Sequence, residues 1–341
     1  MATGPCAPRR DRGASVLNAD AISVVIPAYN AARTLPRLLA SLAAGADRPE
    51  EVLVVDDGSA TFEPLSQVGL NVRFIRLDHQ GPIVARNAGW RAASGTWIAF
   101  LDSDCSVETG WCAAYRRAMA DYPEAMILEG PLREVFTNGF FRHWAENLGP
   151  GRYPTANVAY RRDVLARIGG LDPLFRWGRF YFREDSDLAL RALAHGTAVW
   201  VGDAAVLHHG RRIRFSRKLQ EACRYALDPG LVLRHGLRAV GVDRVRFGPG
   251  SVPAPRQISA ITVTVLALGG VLWRPLWALA ALAAAGRAAF VLSREGLLWG
   301  EVPAAIVEQI LEPLVLCGAL MAGIARLAGR SRRAGVHGYV V

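Results

Sequence analysis

Lysine is all but missing from this chain of 341 residues. Lys218 is the one lysine among 40 basic side chains; the rest are arginines. Cysteine is scarce too. Cys6, Cys105, Cys112, Cys223 and Cys317 have neither zinc-ligand spacing nor an even framework, which excludes a structural zinc site and a disulfide scaffold. Free thiols in a reducing compartment are the expectation. The first 20 residues hold Pro, Gly and Arg but no apolar core, so they make no secretory signal and are expected to form a disordered arm. Neither common Gly-rich phosphate loop is present, so phosphate charge must be met in another way. Basic residues exceed acidic ones by 40 to 30, a formal net charge of +10. No aromatic-interleaved basic run accompanies that charge. Nucleic acid is therefore excluded as a partner in favour of an anionic membrane surface or a phosphate-rich substrate.

What is present is a globular composition, 51% hydrophobic, with a strand–helix rhythm. Residues 21–27 and 51–55 are short β-branched runs, and 72–77 and 97–101 resemble them, so four strands are expected. Leu35, Leu38, Leu39 and Leu42 recur at helical spacing, and Gly81-Pro82 opens a second helix. Each strand ends in polar residues. This is the pattern of an α/β fold with a mostly parallel sheet and a ligand crevice at its carboxyl edge. Further on, the spacing predicts a helix at 108–120, strands at 125–129 and 155–160, and a helix at 161–168 stopped by Gly169-Gly170. A helix at 188–194, led by acidic residues, and a strand at 199–207 ending in His208-His209 complete the series. Residues 131–152 look like loop.

The stretch 96–105 ends an apolar strand in two carboxylates one residue apart, Asp102 and Asp104. In extended backbone, i and i+2 point to one side, so the two would emerge together. Two such carboxylates repel unless a cation accompanies them. Mg²⁺ shared with substrate phosphates would serve. Taken alone, a solvated Asp-Ser-Asp turn explains the stretch equally well.

Six motifs in order decide between these. They are Pro27-Ala-Tyr-Asn30, Val54-Val-Asp-Asp-Gly-Ser59, Ala85-Arg-Asn-Ala-Gly89, Leu101-Asp-Ser-Asp104, Asn157-Val-Ala-Tyr-Arg161 with Gly169-Gly-Leu-Asp172, and Glu184-Asp-Ser-Asp-Leu188. Across residues 21–210 the chain resembles the family 2 glycosyltransferases, which are nucleotide-sugar enzymes of the GT-A fold. The resemblance implies a Rossmann-like mixed sheet flanked by helices. It implies that Pro27, Ala28 and Tyr29 line the nucleoside pocket, and that Asp56 and Asp57 bond the base or ribose. Arg86 would bind base or diphosphate, with Asp102 and Ser103 on the donor side. Asp104 would hold Mg²⁺ or Mn²⁺, joined by Asp102 and by His208. Asp185 would be the catalytic base, tuned by Glu184, since neighbouring carboxylates shift each other's pKa. One base, one metal and no covalent nucleophile give inversion, with the metal stabilising the departing diphosphate.

The Gln-x-x-Arg-Trp motif of processive members is absent, which favours transfer of one or a few sugars. Beyond residue 210 the character changes. A basic region at 211–255 carries Arg211, Arg212, Arg214, Arg217 and Arg224 and ends in a Pro/Gly linker. It suits a helix on an anionic membrane or one packed on the catalytic domain. Apolar helices follow within 256–330, broken by Arg274-Pro275 and by Glu308 and Glu312, and 331–341 is a tail. Arginines on both sides of this block place the catalytic domain at the cytoplasmic face of the cell membrane. The acceptor is then expected to be a cell-envelope or lipid-linked glycan. Two rivals remain: a non-catalytic nucleotide-sugar-binding module that anchors a partner at the membrane, and a glycoside hydrolase with two carboxylates. Asp56 and Asp57 on the nucleoside side disfavour the hydrolase.

Overall fold

The computed structural model describes residues 20–61, 69–135, 146–178, 180–210 and 213–241, and beyond these only short pieces, the longest being 317–328. The elements follow the apolar pattern. β1 (Ile22–Ala28) is buried along almost its whole length, and β2 (Glu51–Asp56) is buried throughout. Between them α1 (Leu35–Ala44) starts with Pro36 in its first turn and buries Leu35, Leu38, Leu39 and Leu42. Each leucine so buried contributes about 1.5–3 kcal/mol. β3 (Val72–Arg76), α2 (Pro82–Ala92) and β4 (Trp97–Phe100) complete the expected strand–helix series. β5 (Cys105–Val107), α3 (Trp111–Asp121), β6 (Ala125–Glu129) and β7 (Leu132–Glu134) come next. Then follow β8 (Val158–Arg161), α4 (Arg162–Ile168), the hairpin β9 (Arg176–Trp177) and β10 (Phe180–Tyr181), and α5 (Glu184–Ala192). β11 (Thr197–Trp200), β12 (Val206–His208), α6 (Phe215–Ala222) and α7 (Asp228–His235) close the described fold.

Seven strands form one mixed sheet in the order β11-β6-β8-β4-β1-β2-β3. β1, β2, β3 and β4 run parallel, and β8 runs against both β4 and β6. α1 and α3 cover one face, where Leu38, Trp111 and Tyr115 are fully buried. α2, α4 and α5 cover the other through Ile83, Leu165 and Leu188. The α/β mixed sheet flanked by helices is thus present. A small second sheet, β5-β12-β7, stands at the carboxyl edge and sets His208 beside Cys105 and Glu134.

Four sequence expectations need correction. Residues 131–152 are not all loop, because Leu132–Glu134 forms β7 and pairs with β12. The strand expected at 199–207 is two strands in two different sheets. The chain turns at 201–204, where Val201 N–H donates to Glu129 O and Ala204 N–H to Val201 O, and leaves the large sheet for the small one. The helix expected from residue 188 starts at Glu184, so Glu184, Asp185 and Asp187 all lie in its first turn. Asp102 and Asp104 take different partners, Arg86 and His208. β4 ends at Phe100 and the two aspartates sit in a turn closed by Cys105 N–H on Asp102 O, 3.1 Å, so strand alternation no longer applies to them.

Residues 213–241 of the basic region fold back on the α/β unit. Tyr225 packs edge-on against Phe182 at 5.1 Å, and the Arg224 guanidinium lies 4.8 Å over the same ring. The helical piece 317–328 meets this surface, with Cys317 and Leu320 against Ala222 and Tyr225, and Arg326 donating to Arg176 O at 2.9 Å. Among the described residues no helix is long and apolar enough to cross a membrane. The apolar helices expected within 256–330 lie largely outside the described residues, as does the N-terminal arm.

Candidate active site

The carboxyl ends of β1 and β2 form the first wall of a cleft. Pro27 is half-buried, Ala28 is buried, and Tyr29 stands half exposed beyond them. The Tyr29 ring lies 4.3 Å from that of His79, tilted by 30°. Asp57 accepts from the backbone N–H of Gln80 at 2.7 Å and of Gly81 at 2.8 Å. Asp56 accepts from Ser59 Oγ and from Ser59 N–H at 3.2 Å, with Arg76 3.4 Å away. Both carboxylates therefore hold their own turns. Gly81 has φ +96, and a side chain there would run into the Tyr181 hydroxyl. The β9–β10 hairpin thus lies directly against the start of α2, and Arg176 donates to Gln80 O at 3.2 Å.

Arg86, on α2, is buried at the centre. Its Nη2 donates to Asp102 Oδ1 at 2.6 Å, and its Nη1 is 3.9 Å from Glu184 Oε1. Its Nε is buried with no hydrogen-bond partner among the described residues. Ser103 is half-buried in the turn between the two aspartates.

Asp104 faces the small sheet. Its Oδ2 is 3.6 Å from His208 Nε2, and His208 Nδ1 is 2.8 Å from Glu134 Oε2. The backbone N–H of His209 donates to Asp104 O at 3.0 Å and holds the turn against β12. Burial pulls the His208 pKa down, but the bonds to Asp104 and Glu134 outweigh it and raise it to about 10. The three donors expected for a metal do not converge. Asp102 is committed to Arg86, and among the described residues no three His, Cys, Asp or Glu side chains gather as a metal cluster. Asp104 and His208 alone fit a divalent ion, which would displace the His208 proton and take its other ligands from a diphosphate and water. Glu134 on the far ring nitrogen is the support such a histidine needs.

Glu184 and Asp185 open α5, at the end of the helix where the dipole favours negative charge. Burial, then the charge of Asp185, raises Glu184 to about 7 against the pull of Arg86. Burial also raises Asp185, opposed by its bonds to Ser186 and by Arg183 and Arg86. Asp185 Oδ1 accepts from Ser186 N–H at 2.6 Å.

The sequence profile of the family described as Glycosyl transferase family 2 matches residues 23–185, which span this cleft from β1 to Asp185. This chain carries a family 2 glycosyltransferase domain. The chain is 46% identical over 166 residues to the succinoglycan biosynthesis protein ExoO of Rhizobium meliloti, which is 45% of this chain and 47% of that protein. It is 29% identical over 215 residues to the pre-mycofactocin glycosyltransferase of Mycobacterium tuberculosis H37Rv, 56% of this chain and 43% of that one. The chain thus spans about half the length of these curated relatives. A looser likeness joins it to S. aureus TarS 1–349, with TM-score 0.48 and 16% identity over 89% of this chain and 90% of that one.

In the glycosyltransferase domain several motif residues turn out to build the frame. Asn87 accepts from Leu171 N–H at 2.9 Å and donates to Leu171 O at 2.8 Å, which ties two motifs together. Asn157 bonds Trp111, Tyr115, Pro131 O and Ala204 O at 2.8–3.0 Å. Sequence reasoning missed His79, Tyr181, Glu134 and Glu129. Buried Glu129 accepts from the backbone N–H of Gly151, Arg152 and Tyr153 and from Asn147, at 2.6–3.0 Å, and so anchors the loop 147–153. A lone glutamate ending an apolar strand was the available signal.

Proposed function

We propose that the domain transfers a sugar, with inversion, from a nucleoside-diphosphate donor to an acceptor hydroxyl, with Asp185 as general base. The observation that carries this reading is the carboxylate pair at the start of α5. Burial raises both groups, and the charge of Asp185 raises Glu184 further to about 7, so Asp185 takes a proton more readily than an exposed aspartate would. Arg86 links the pair to the donor side. Its orphaned Nε is a donor awaiting an anionic acceptor, which a diphosphate oxygen would supply. Tyr29 and His79 offer a ring face to the base, and the turns held by Asp56 and Asp57 shape the floor beneath. Each Asp57 oxygen keeps a second lone pair for the donor.

Asp104 and His208 are the residues to hold Mg²⁺ or Mn²⁺. That ion would stabilise the charge gained by the leaving diphosphate. The proton of the attacking hydroxyl passes to Asp185, and the anomeric carbon exchanges its phosphate oxygen for the acceptor oxygen on the opposite face. We infer a cell-envelope or lipid-linked glycan as the acceptor, at the cytoplasmic face of the membrane. Two features support this: the name of the succinoglycan biosynthesis relative, and the arginine-rich sequence on both sides of the 256–330 block.

The test is thermal stability with UDP-, GDP- and dTDP-sugars, each with and without Mn²⁺. A ligand that binds only the folded state raises its midpoint. One base should give a metal-dependent rise, lost in Asp104→Ala. No rise with any donor in a folded sample would defeat the reading.

A further inference from the structure

The base pair at the start of α5 is held in place from outside the matched stretch of the family. Arg183, the residue before Glu184, has φ 70, a left-handed backbone for a residue that is not glycine. Such a conformation costs on the order of 1–3 kcal/mol and persists only where its surroundings enforce it. The surroundings here are on α7. Arg183 is buried, its Nε donates to Asp228 Oδ1 at 2.7 Å, and its guanidinium lies 4.2 Å over the Phe182 ring. Four residues after Arg183, Asp187 is fully buried. Its Oδ2 accepts from Arg191 Nε at 2.8 Å within α5. Its Oδ1 accepts from Arg234 Nη1 at 3.0 Å and meets His235 Nε2 at 2.9 Å. Arg234 also reaches Asp172 at 2.7 Å, which ties the same point to the loop after α4.

Glu184 and Asp185 are therefore bracketed. One ion pair fixes the residue before them and a second cluster fixes the residue two positions after Asp185. Both brackets come from one short helix, Asp228–His235. The need is physical. Two adjacent, poorly solvated carboxylates repel each other, and the cheapest relief is for the first turn to unwind at the strained Arg183 backbone. A clamp on each side blocks that relief.

We propose that α7 is a positioning element for catalysis, with Asp228 and His235 holding Asp185 at its working place through Arg183 and Asp187. The proposal rests on Asp185 being the base. Asp228 and His235 act through Arg183 and Asp187, so both are assigned to geometry and not to binding.

The test follows nucleoside-diphosphate release from whichever of UDP-, GDP- or dTDP-sugar raises the melting midpoint, with water standing in as acceptor. Asp228→Asn and His235→Ala should each lower kcat about tenfold or more, as small misplacements of a reacting group do. The KM for the donor should stay within about twofold, the pattern of an interaction that matters only in the transition state. His235→Gln, which keeps an N–H to face Asp187, should remain near wild type. The donor-induced rise in midpoint should be unchanged in all three, which also establishes that they fold. Wild-type kcat in both Asp228→Asn and His235→Ala would overturn the clamp. So would a loss of donor binding in step with kcat. Asp185→Asn is run beside them: full activity there would overturn the base assignment itself, whatever the α7 variants do.

Discussion

Glu184 is the residue whose chemistry is easiest to misjudge from its name. As an ordinary glutamate it would be ionised at any physiological pH. Here burial and the neighbouring Asp185 raise it to about 7. A base must be unprotonated, and burial raises Asp185 above the usual carboxylate range, so activity should begin to fall at a higher pH than an exposed aspartate would give. The charge of Asp185 raises Glu184, so Asp185 ionises first, beside a neutral Glu184. Glu184→Gln keeps a neutral neighbour, so the acid limb of kcat against pH should stay in place, and a clear move to lower pH would show that Glu184 is already charged when Asp185 titrates. Stability has the opposite sign. An acid whose folded pKa is raised stabilises the fold below its unfolded value and loses that contribution as pH rises through the folded one. Glu184→Gln should therefore raise Tm by a few degrees at pH 8 and by little at pH 4. The sequence made Glu184 and Asp185 legible through the Glu184-Asp-Ser-Asp-Leu188 motif of the family that it resembles. It could not show that Asp102 is spoken for by Arg86, or that Glu134 stands behind His208. Those pairings join residues 16 and 74 positions apart, and no local pattern encodes them.

At the scale of elements, strands and helices were read well where apolar periodicity was strong. β1, β2, β3, α1 and α2 fall within a residue or two of the spacing that predicts them. The misreadings arose where the chain changes layer. Residues 199–207 look like one strand because both halves are apolar, yet the turn at 201–204 sends the second half to another sheet. The early start of α5 was hidden because Arg183 and three acidic residues do not look like helix core. Some motif residues are packing devices. Gly89 on α2 lets the helix approach β1 and β2, since a Cβ there would press on Val25 and Val55. Asn157 spends all its bonding capacity on two aromatic side chains and two backbone carbonyls. Asn157→Ala should lower stability by about 2–4 kcal/mol, since it strands buried donors on Trp111 and Tyr115. A change below 0.5 kcal/mol in urea unfolding would mean that those donors find new partners.

The described residues form a mixed sheet with a cleft at its carboxyl edge, followed by helical pieces that return to it. α7 and the piece 317–328 both touch the elements around Phe175, Arg176 and Phe182. Composition and charge announced that the last third differs from the rest. They could not announce that part of it braces the start of α5, because that depends on Asp228, Arg234 and His235 meeting residues 45 to 48 positions earlier.

The measurement that bears most directly on the account is the fate of the sugar. A purified sample is given the α-linked nucleotide sugar that it binds, with Mn²⁺, and the newly released sugar is observed by proton NMR before it mutarotates. Inverting chemistry through Asp185 predicts the β-anomer, and a fall of about 10²-fold or more in its rate of appearance in Asp185→Asn. Release of the α-anomer, or release at the wild-type rate from Asp185→Asn, would contradict the account.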